Sequence, residues 1–184
     1  MSTLTDSKSP SLESNQLCQI GLTNSASTNA LLSSFSSTLV QQYIAAKQSA
    51  GKRKKRQSTY TFTCDDLNTL GTGVTSLTVA QLSTLTTNEF YKCQTLLGTS
   101  TNQWSSAQLT QLATIAKSLY GSASSISDTN ITALNTIMVG FSSTDLATLT
   151  FTTTTSIGAL GALSGWSTDQ VIFILSYIII FILN

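Results

Sequence analysis

The sequence nearly repeats itself at a spacing of about sixty-four residues, and this repeat constrains the fold more than any other feature. Residues 63–67 match 127–131, residues 77–82 match 141–146, and residues 104–109 match 166–171. The first two pairs are offset by 64 residues and the third by 62, which indicates a short deletion before Trp166. Repeats of this kind are typical of stacked arrays, in which each unit buries its apolar face against the next.

The copies share a helix-start signal, in which Ser or Thr is followed three residues later by Gln, Glu, Asp or Asn. The hydroxyl caps the helix, and the later side chain reaches back to the amide of the cap. The signal occurs at Thr63, Thr78, Thr86, Ser105, Ser127, Ser142 and Ser167. After Ser105 the apolar residues follow helical spacing, and Gly121 is placed to end that helix. Short α-helices are therefore predicted.

The predicted fold class is all-α: a superhelical, ARM/HEAT-like stack of short helices made of about two 62–64-residue repeats. Hydrophobic residues make up 41% of the chain and charged residues 9%, a balance typical of an ordered domain. The predicted core includes Trp104, Leu109, Leu112 and Trp166. Each tryptophan precedes a cap by one residue, where it can pack against the first turns of its helix. The alternative is that the two rings form a ligand platform.

Composition divides the chain into four segments. The predicted domains are a polar N-terminal stretch with a partial helical repeat at 1–50, a basic linker at 51–60, a helical repeat domain at 61–170 and a hydrophobic tail at 171–184. In the first segment a helical face is traced by Leu31, Leu32, Phe35, Leu39, Val40, Tyr43 and Ile44. We expect that helix to be the end of an earlier repeat.

Five of the nine basic residues lie together at 52–56, next to polar residues that suggest an exposed linker. Arg53, Lys54, Lys55 and Arg56 match the R-x-K-R pattern of furin-type proteases, which would cut after Arg56. A nuclear localisation signal and a solvated linker without a role are the alternatives. From residue 57 onward two lysines oppose six acidic residues, a formal charge of −4. Because that part offers no basic surface to a phosphate backbone, nucleic acid is not expected as a partner.

The C-terminal segment 171–183 is apolar apart from Ser176 and the Tyr177 hydroxyl. As a helix it would extend about 20 Å, short of the roughly 30 Å hydrocarbon core of a bilayer. A short apolar tail behind a polar spacer is typical of a GPI-attachment signal. Small residues suited to the attachment are Ser156, Gly158, Gly161, Ala162 and Ser164. The alternatives are a membrane tail anchor and a buried last helix, since Ser167–Gln170 matches the start of the helix after Ser105.

Cysteine and hydroxyl residues offer further candidate modification sites. Cys64 and Cys93 are either bridged or two buried free thiols, with Cys18 left over. Asn130-Ile-Thr132 is an N-glycosylation sequon. The Thr run at 152–155 is the best candidate for O-glycosylation, whereas capping and coating of the exterior would explain the Ser/Thr surplus without any glycan.

The sequence is poorly equipped for catalysis, because it contains no histidine. Ser-His-Asp and Cys-His arrangements and His-containing metal sites are thereby excluded. No P-loop, G-x-S-x-G elbow or complete G-x-G-x-x-G occurs. Asp65 and Asp66 fall in a predicted first turn, where they favour the helix dipole rather than acid–base chemistry. We therefore expect neither an enzyme nor a cofactor.

The pattern Trp-Ser-x-x-Gln-Leu at 104–109, a helix ending in Tyr120-Gly121, and a second Trp-Ser-x-x-Gln at 166–170 resemble the mesothelin, stereocilin and otoancorin group. The resemblance covers approximately residues 61–170. It implies an extracellular, superhelical stack of short helices with GPI anchoring and furin-type processing. The start, Met1–Lys8, has neither a basic nor an apolar region of a signal peptide. We therefore expect the chain to be a C-terminal portion, from a fragment or a truncated gene model.

The resemblance implies a non-enzymatic protein of the outer cell surface, acting in cell adhesion or cell–matrix attachment. Its expected partners are an extracellular protein or glycan ligand, the membrane through the C-terminal anchor, and the furin-type protease. The alternative prediction is an intracellular tail-anchored or nuclear α-helical adaptor, with the basic residues at 52–56 as its localisation signal.

Overall fold

The computed structural model describes residues 37–54 and 60–183, and these residues form helices and loops without any strand. The all-α prediction is confirmed for this part of the chain. The helical face predicted at Leu31, Leu32 and Phe35, the thiol of Cys18, and the last two cleavage residues, Lys55 and Arg56, lie outside the described residues.

The helices of the described part vary from one turn to more than four turns in length. In chain order they are α1 (Ser37–Lys54), α2 (Cys64–Leu70), the 3₁₀ helix η1 (Gly71–Ser76), α3 (Val79–Leu82), α4 (Thr87–Gly98), α5 (Ser106–Tyr120), η2 (Ala123–Ser125), α6 (Asp128–Leu134), η3 (Asn135–Gly140), α7 (Ser143–Leu146), α8 (Thr154–Gly161) and α9 (Thr168–Leu183).

The order of the elements follows the sequence repeat. The series α2, η1, α3, α4, α5 recurs as α6, η3, α7, α8, α9. The first three members of each series begin and end 64 residues apart, and α5 and α9 begin 62 residues apart. The sequence repeat therefore corresponds to a recurring order of helices with equivalent starts.

Hydroxyl caps explain where these helices begin. Thr63, Thr78, Thr86, Ser105, Ser127 and Ser142 each accept a hydrogen bond from the backbone amide three residues later. Ser167 does the same for Gln170, with Oγ and N 3.4 Å apart. The predicted caps are thus confirmed. Gly121 ends α5 with φ of 84°, a left-handed conformation that suits glycine.

The described residues form two compact units, one ending at Leu77 and the other starting at Thr78. In the first unit α1 packs against η1, and the buried residues are Val40, Tyr43, Ile44, Phe62, Leu67, Leu70, Val74 and Leu77. The helix α1 continues to Lys54, so Arg53 and Lys54 are helical. The predicted linker at 51–60 is therefore wrong for 51–54, where helix propagation extends beyond Gly51.

The second unit is built around α5, which packs along η3. Its fully buried side chains include Leu82, Phe90, Leu97, Leu112, Leu134, Ile137, Met138, Phe141 and Leu146. Two glycines permit close approach of backbones: a Cβ on Gly98 would collide with the Leu134 carbonyl, and one on Gly140 with the Leu109 carbonyl. Helices that contact one another this closely leave no room for a side chain at either position.

Candidate binding site

The second unit contains a cavity of about 500 Å³ beside the starts of α5 and α9. Trp104 and Trp166 both line this cavity. They occupy equivalent positions in the two repeats, each one residue before the cap of its helix. The repeat therefore places two matching indole rings around one cavity.

The cavity is lined by apolar, amide and hydroxyl side chains. Its apolar members are Trp104, Leu109, Val139 and Trp166. Its amide side chains are Asn102, Gln103 and Gln170. Its hydroxyl side chains are Ser100, Ser106, Thr110, Thr136, Ser164 and Ser167, and Gly165 completes the wall. No Asp, Glu, Lys or Arg of the described part contributes to this lining.

Hydrogen bonds to backbone carbonyls fix both indole rings. Trp104 Nε1 donates to the Leu97 carbonyl at 2.8 Å, and Trp166 Nε1 donates to the Leu160 carbonyl at 3.2 Å. Each ring thereby ties the start of one helix to the carboxyl end of the preceding one. Both rings remain half-buried.

The core prediction needs a correction at this cavity. Leu112 is completely buried, but Trp104, Leu109 and Trp166 are half-buried and line the cavity wall. The physical reason is that neighbouring side chains cover only part of each indole ring, because the cavity lies beside it. Both tryptophans are therefore at the border of the core, and the ligand platform stays a prediction.

The amide groups of the lining are also held in place. Asn102 Nδ2 donates to the carbonyls of Leu96 and Leu97 at 2.8 and 3.1 Å. Gln170 Nε2 donates to the carbonyls of Val139 and Phe141, and its Oε1 accepts from the Ser167 amide at 2.7 Å. Because these side chains already bond to fixed backbone, the cavity has its shape before any ligand enters.

The lining residues offer hydrogen-bonding groups and apolar ring surface. The hydroxyls of the lining have no histidine, carboxylate or amine beside them within the lining to act as a base. Neutral amides and hydroxyls can donate and accept hydrogen bonds, and the indole rings offer apolar contact. The arrangement therefore suits a binding site.

The helix α9 contains most of the predicted hydrophobic tail, and one of its faces packs within the second unit. Ile174 is 8% exposed, and Tyr177 Oη donates to the Leu149 carbonyl at 3.1 Å. The ring of Tyr177 also packs edge-on against Phe151, with centroids 4.8 Å apart. The opposite face is exposed and apolar: Val171, Ile172, Leu175 and Ile179 are between 39% and 62% exposed.

Membrane crossing was among the predictions for this tail. None of the helices within residues 37–54 and 60–183 combines the length and apolar character that a bilayer span requires.

A polar cluster in the first unit surrounds Asp66. This carboxylate pairs with Lys47 at 3.1 Å and accepts from Tyr60 Oη at 2.6 Å and from the Thr63 amide at 3.0 Å. Burial alone would raise the pKa of Asp66, but these hydrogen bonds and the Lys47 charge outweigh burial and lower it. Burial acts to lower the pKa of Lys47, whereas the Asp66 carboxylate outweighs burial and raises it. The cluster joins α1 to α2, which is a structural role.

Both cysteines of the described part, Cys64 and Cys93, are disulfide-bonded. This state differs from the free-thiol alternative. The predicted pairing of the two with each other stays a prediction.

The candidate glycosylation sites lie on or beside helices of the second unit. Asn130 lies in the first turn of α6 and is half-buried. Thr152 and Thr153 donate their hydroxyl protons to Asp128 Oδ2 at 3.0 and 2.8 Å. Thr153 also caps α8 by accepting from the Ser156 amide. The capping prediction missed Thr153 because its third following residue is serine, which is outside the sequence signal.

The candidate GPI-attachment residues lie in and after α8. Ser156 is completely buried, whereas Gly158, Gly161, Ala162 and Ser164 are exposed. All five precede Trp166 and α9 in the chain. Attachment at any of them would remove α9, and with it one side of the cavity.

Comparison of the chain with protein-family models, with curated proteins and with solved structures finds no match. The cavity itself was not predicted from the sequence. The signal that could have found it is the paired Trp-Ser-x-x-Gln motif, since equivalent residues of adjacent repeats tend to line one groove.

Proposed function

We propose that the chain is a non-enzymatic, extracellular binding protein that acts in cell adhesion or in attachment of cells to matrix. The observation that carries this proposal is the uncharged cavity with two indole rings from equivalent positions. Such a site recognises a ligand without offering a nucleophile and base to transform it. The proposed architecture is a superhelical stack, supported by the recurring order of helices.

Two features support an extracellular location. Cys64 and Cys93 are disulfide-bonded, and disulfides form and persist in oxidising compartments outside the cytosol. The resemblance of the Trp-Ser-x-x-Gln segments to the mesothelin, stereocilin and otoancorin group implies the same location. Cleavage after Arg56 by a furin-type protease belongs to this proposal, although α1 includes the first two residues of the site.

The packing of α9 favours retention of this helix over its removal as a GPI signal. Ile174 and Gln170 are buried, and Tyr177 bonds to the Leu149 carbonyl. A removable signal has no need of such contacts. We therefore propose that the secreted form keeps α9.

Cell attachment tests the proposed function. The full chain is expressed behind a secretory signal, purified, and coated on plastic, and cells are counted after washing. We expect attachment well above an albumin-coated surface, and loss of it when the coated chain is first reduced and alkylated. Attachment equal to that on albumin for the folded chain would refute the adhesion role.

The fate of α9 has its own experiment. Cells that express the chain behind a secretory signal are treated with a phosphatidylinositol-specific phospholipase, and the C-terminal peptide of the secreted or released protein is sought by mass spectrometry. We expect peptides from α9 in the secreted protein. Release by the phospholipase together with absence of those peptides would establish the GPI alternative.

The exposed apolar face of α9 favours a second candidate function. An intracellular α-helical adaptor would use Val171, Ile172, Leu175 and Ile179 to dock a partner helix. Thiol labelling of the chain in intact cells separates the two functions, because reduced Cys64 and Cys93 in the native protein would support the adaptor.

A further inference from the structure

We propose that the cavity of the second unit binds a neutral carbohydrate, as one or two sugar units of a glycan. This inference rests on the proposed adhesion function and names the ligand class of its site. The lining residues would hold charged ligands and purely apolar ligands poorly.

A charged ligand would bind poorly, because no charged residue of the described part lies in the lining. Moving a phosphate, carboxylate or ammonium group out of water costs several kcal/mol unless an opposite charge or several strong donors replace the lost hydration. The polar side chains that the described part contributes to the lining are neutral amides and hydroxyls. The ligand is therefore uncharged where it enters the cavity.

A purely apolar ligand is excluded by the polar half of the lining. Gln103, Ser106 and Ser167 would lose water on contact with a lipid chain and gain no hydrogen bond in return. Each buried group left unpaired costs about 1–3 kcal/mol. The ligand must carry donors and acceptors of its own.

A pyranose combines the two properties that remain. The C–H groups of one face of the ring are apolar and slightly positive, whereas its hydroxyls project from the edge. Trp104 and Trp166 spend their only N–H donors on backbone carbonyls, so what they offer a ligand is ring surface. The negative face of an indole attracts such C–H groups.

The size and rigidity of the cavity fit a small saccharide. Its volume of about 500 Å³ lies within the ordinary range for small-molecule sites. Asn102 and Gln170 are held by backbone carbonyls, so little freedom is lost on binding.

Tryptophan fluorescence provides a specific readout, because the two tryptophans of the chain both line the cavity. The full chain is titrated with methyl glycosides of glucose, galactose, mannose and N-acetylglucosamine, and with their β-linked disaccharides. Glucuronic acid and octyl alcohol serve as the charged and the apolar probe. We expect a saturable change in emission with at least one neutral sugar and weaker responses to both other probes.

Paired variants locate the site. Gln103→Ala alters an exposed lining residue, and Trp166→Phe keeps an aromatic ring while leaving Trp104 as reporter. We expect each to weaken sugar binding about tenfold. The matched controls outside the cavity are Asn88→Ala and Tyr91→Ala, both at exposed residues of α4. These controls should bind as the unaltered chain does.

Three results would overturn the inference: no neutral sugar changes the emission, the acid or the alcohol binds better, or the lining variants bind as the controls do. Because Gln103→Ala changes an exposed side chain, its result stands even where Trp166→Phe fails to fold. Sugar binding without cell attachment would keep the site and refute the adhesion function. Cell attachment without sugar binding would support the adhesion function and refute the carbohydrate site.

Discussion

At the scale of single residues, the abundant hydroxyls act as helix caps. Ser105 accepts from the Gln108 amide, while Gln108 Oε1 accepts from the Ser105 amide at 2.8 Å. We predict that Ser105→Ala lowers the free energy of unfolding by about 1 kcal/mol, because amide groups at the start of α5 lose their partner. Urea denaturation measures this. Ser118→Ala, at an exposed position of the same helix, is the control and should cause no loss.

The Lys47–Asp66 pair makes stability depend on pH. Buried hydrogen bonds and Lys47 hold the pKa of Asp66 below its ordinary value in the folded chain. The contribution of Asp66 to the free energy of unfolding is therefore complete above its pKa in the unfolded chain, about 3.9. This contribution is lost as pH falls through the pKa of the folded chain. The raised pKa of Lys47 acts at the other end, where stability is lost as pH rises through the folded value of the amine.

Asp66→Asn tests this dependence. We predict that the variant loses stability at neutral pH and shows a shallower decline of unfolding free energy in acid than the unaltered chain, as followed by urea denaturation from neutral pH to pH 2–3. The neighbouring exposed carboxylate supplies the control, Asp65→Asn. Equal acid profiles for Asp66→Asn and the unaltered chain would contradict the assignment.

At the scale of elements, the caps and the helix order were predictable because they depend on residues three positions apart. The placement of α9 was not. Its sequence is apolar all round, so periodicity cannot reveal which side packs. The face of α9 that packs against the second unit is the one that carries Gln170 and Tyr177. Their hydrogen-bond partners Val139, Phe141 and Leu149 lie about thirty residues away in the chain. Tertiary hydrogen bonds of this kind leave no local pattern.

A matched pair of isoleucines tests whether α9 belongs to the folded unit. Ile174 is 8% exposed and Ile172 is 62% exposed. We predict that Ile174→Ala lowers the free energy of unfolding by about 2–4 kcal/mol, whereas Ile172→Ala changes it by less than about 0.5 kcal/mol. Both are measured by urea denaturation of the full chain. If neither variant has an effect, α9 does not pack as described.

A pair of glycines tests the contact between α5 and η3. A Cβ at Gly140 would meet the Leu109 backbone, while one at Gly158 in α8 would meet nothing within 4 Å. We predict that Gly140→Ala destabilises the chain by about 1–3 kcal/mol through overpacking. Gly158→Ala should stabilise it by about 0.5–1 kcal/mol, because alanine loses less backbone entropy in a helix. Thermal melts that shift in the same direction for both would contradict the contact.

At the scale of the whole molecule, the repeat predicted the fold class but neither the boundary between units nor the cavity. The boundary after Leu77 falls inside the first copy of the repeat, where sequence matching sees continuity. The cavity lies where neighbouring side chains do not fill the space between helices. The spacing of apolar residues predicts which side chains are buried, but not how completely they pack. The pattern therefore predicts Trp104 and Trp166 to lie in the core, whereas both line the cavity.

The disulfide state concerns the stability of the whole chain. Cys64 and Cys93 are both disulfide-bonded, and a bond between them would close a loop of about thirty residues. In the chain-entropy model such a bond stabilises the folded chain by about 3.6 kcal/mol, because it restricts the unfolded chain. We predict that replacing both by serine lowers the free energy of unfolding by about that amount, whereas Cys18→Ser leaves it unchanged. Peptide mapping without reductant should recover the peptides of 64 and 93 joined, and a joined peptide that contains Cys18 would refute this pairing.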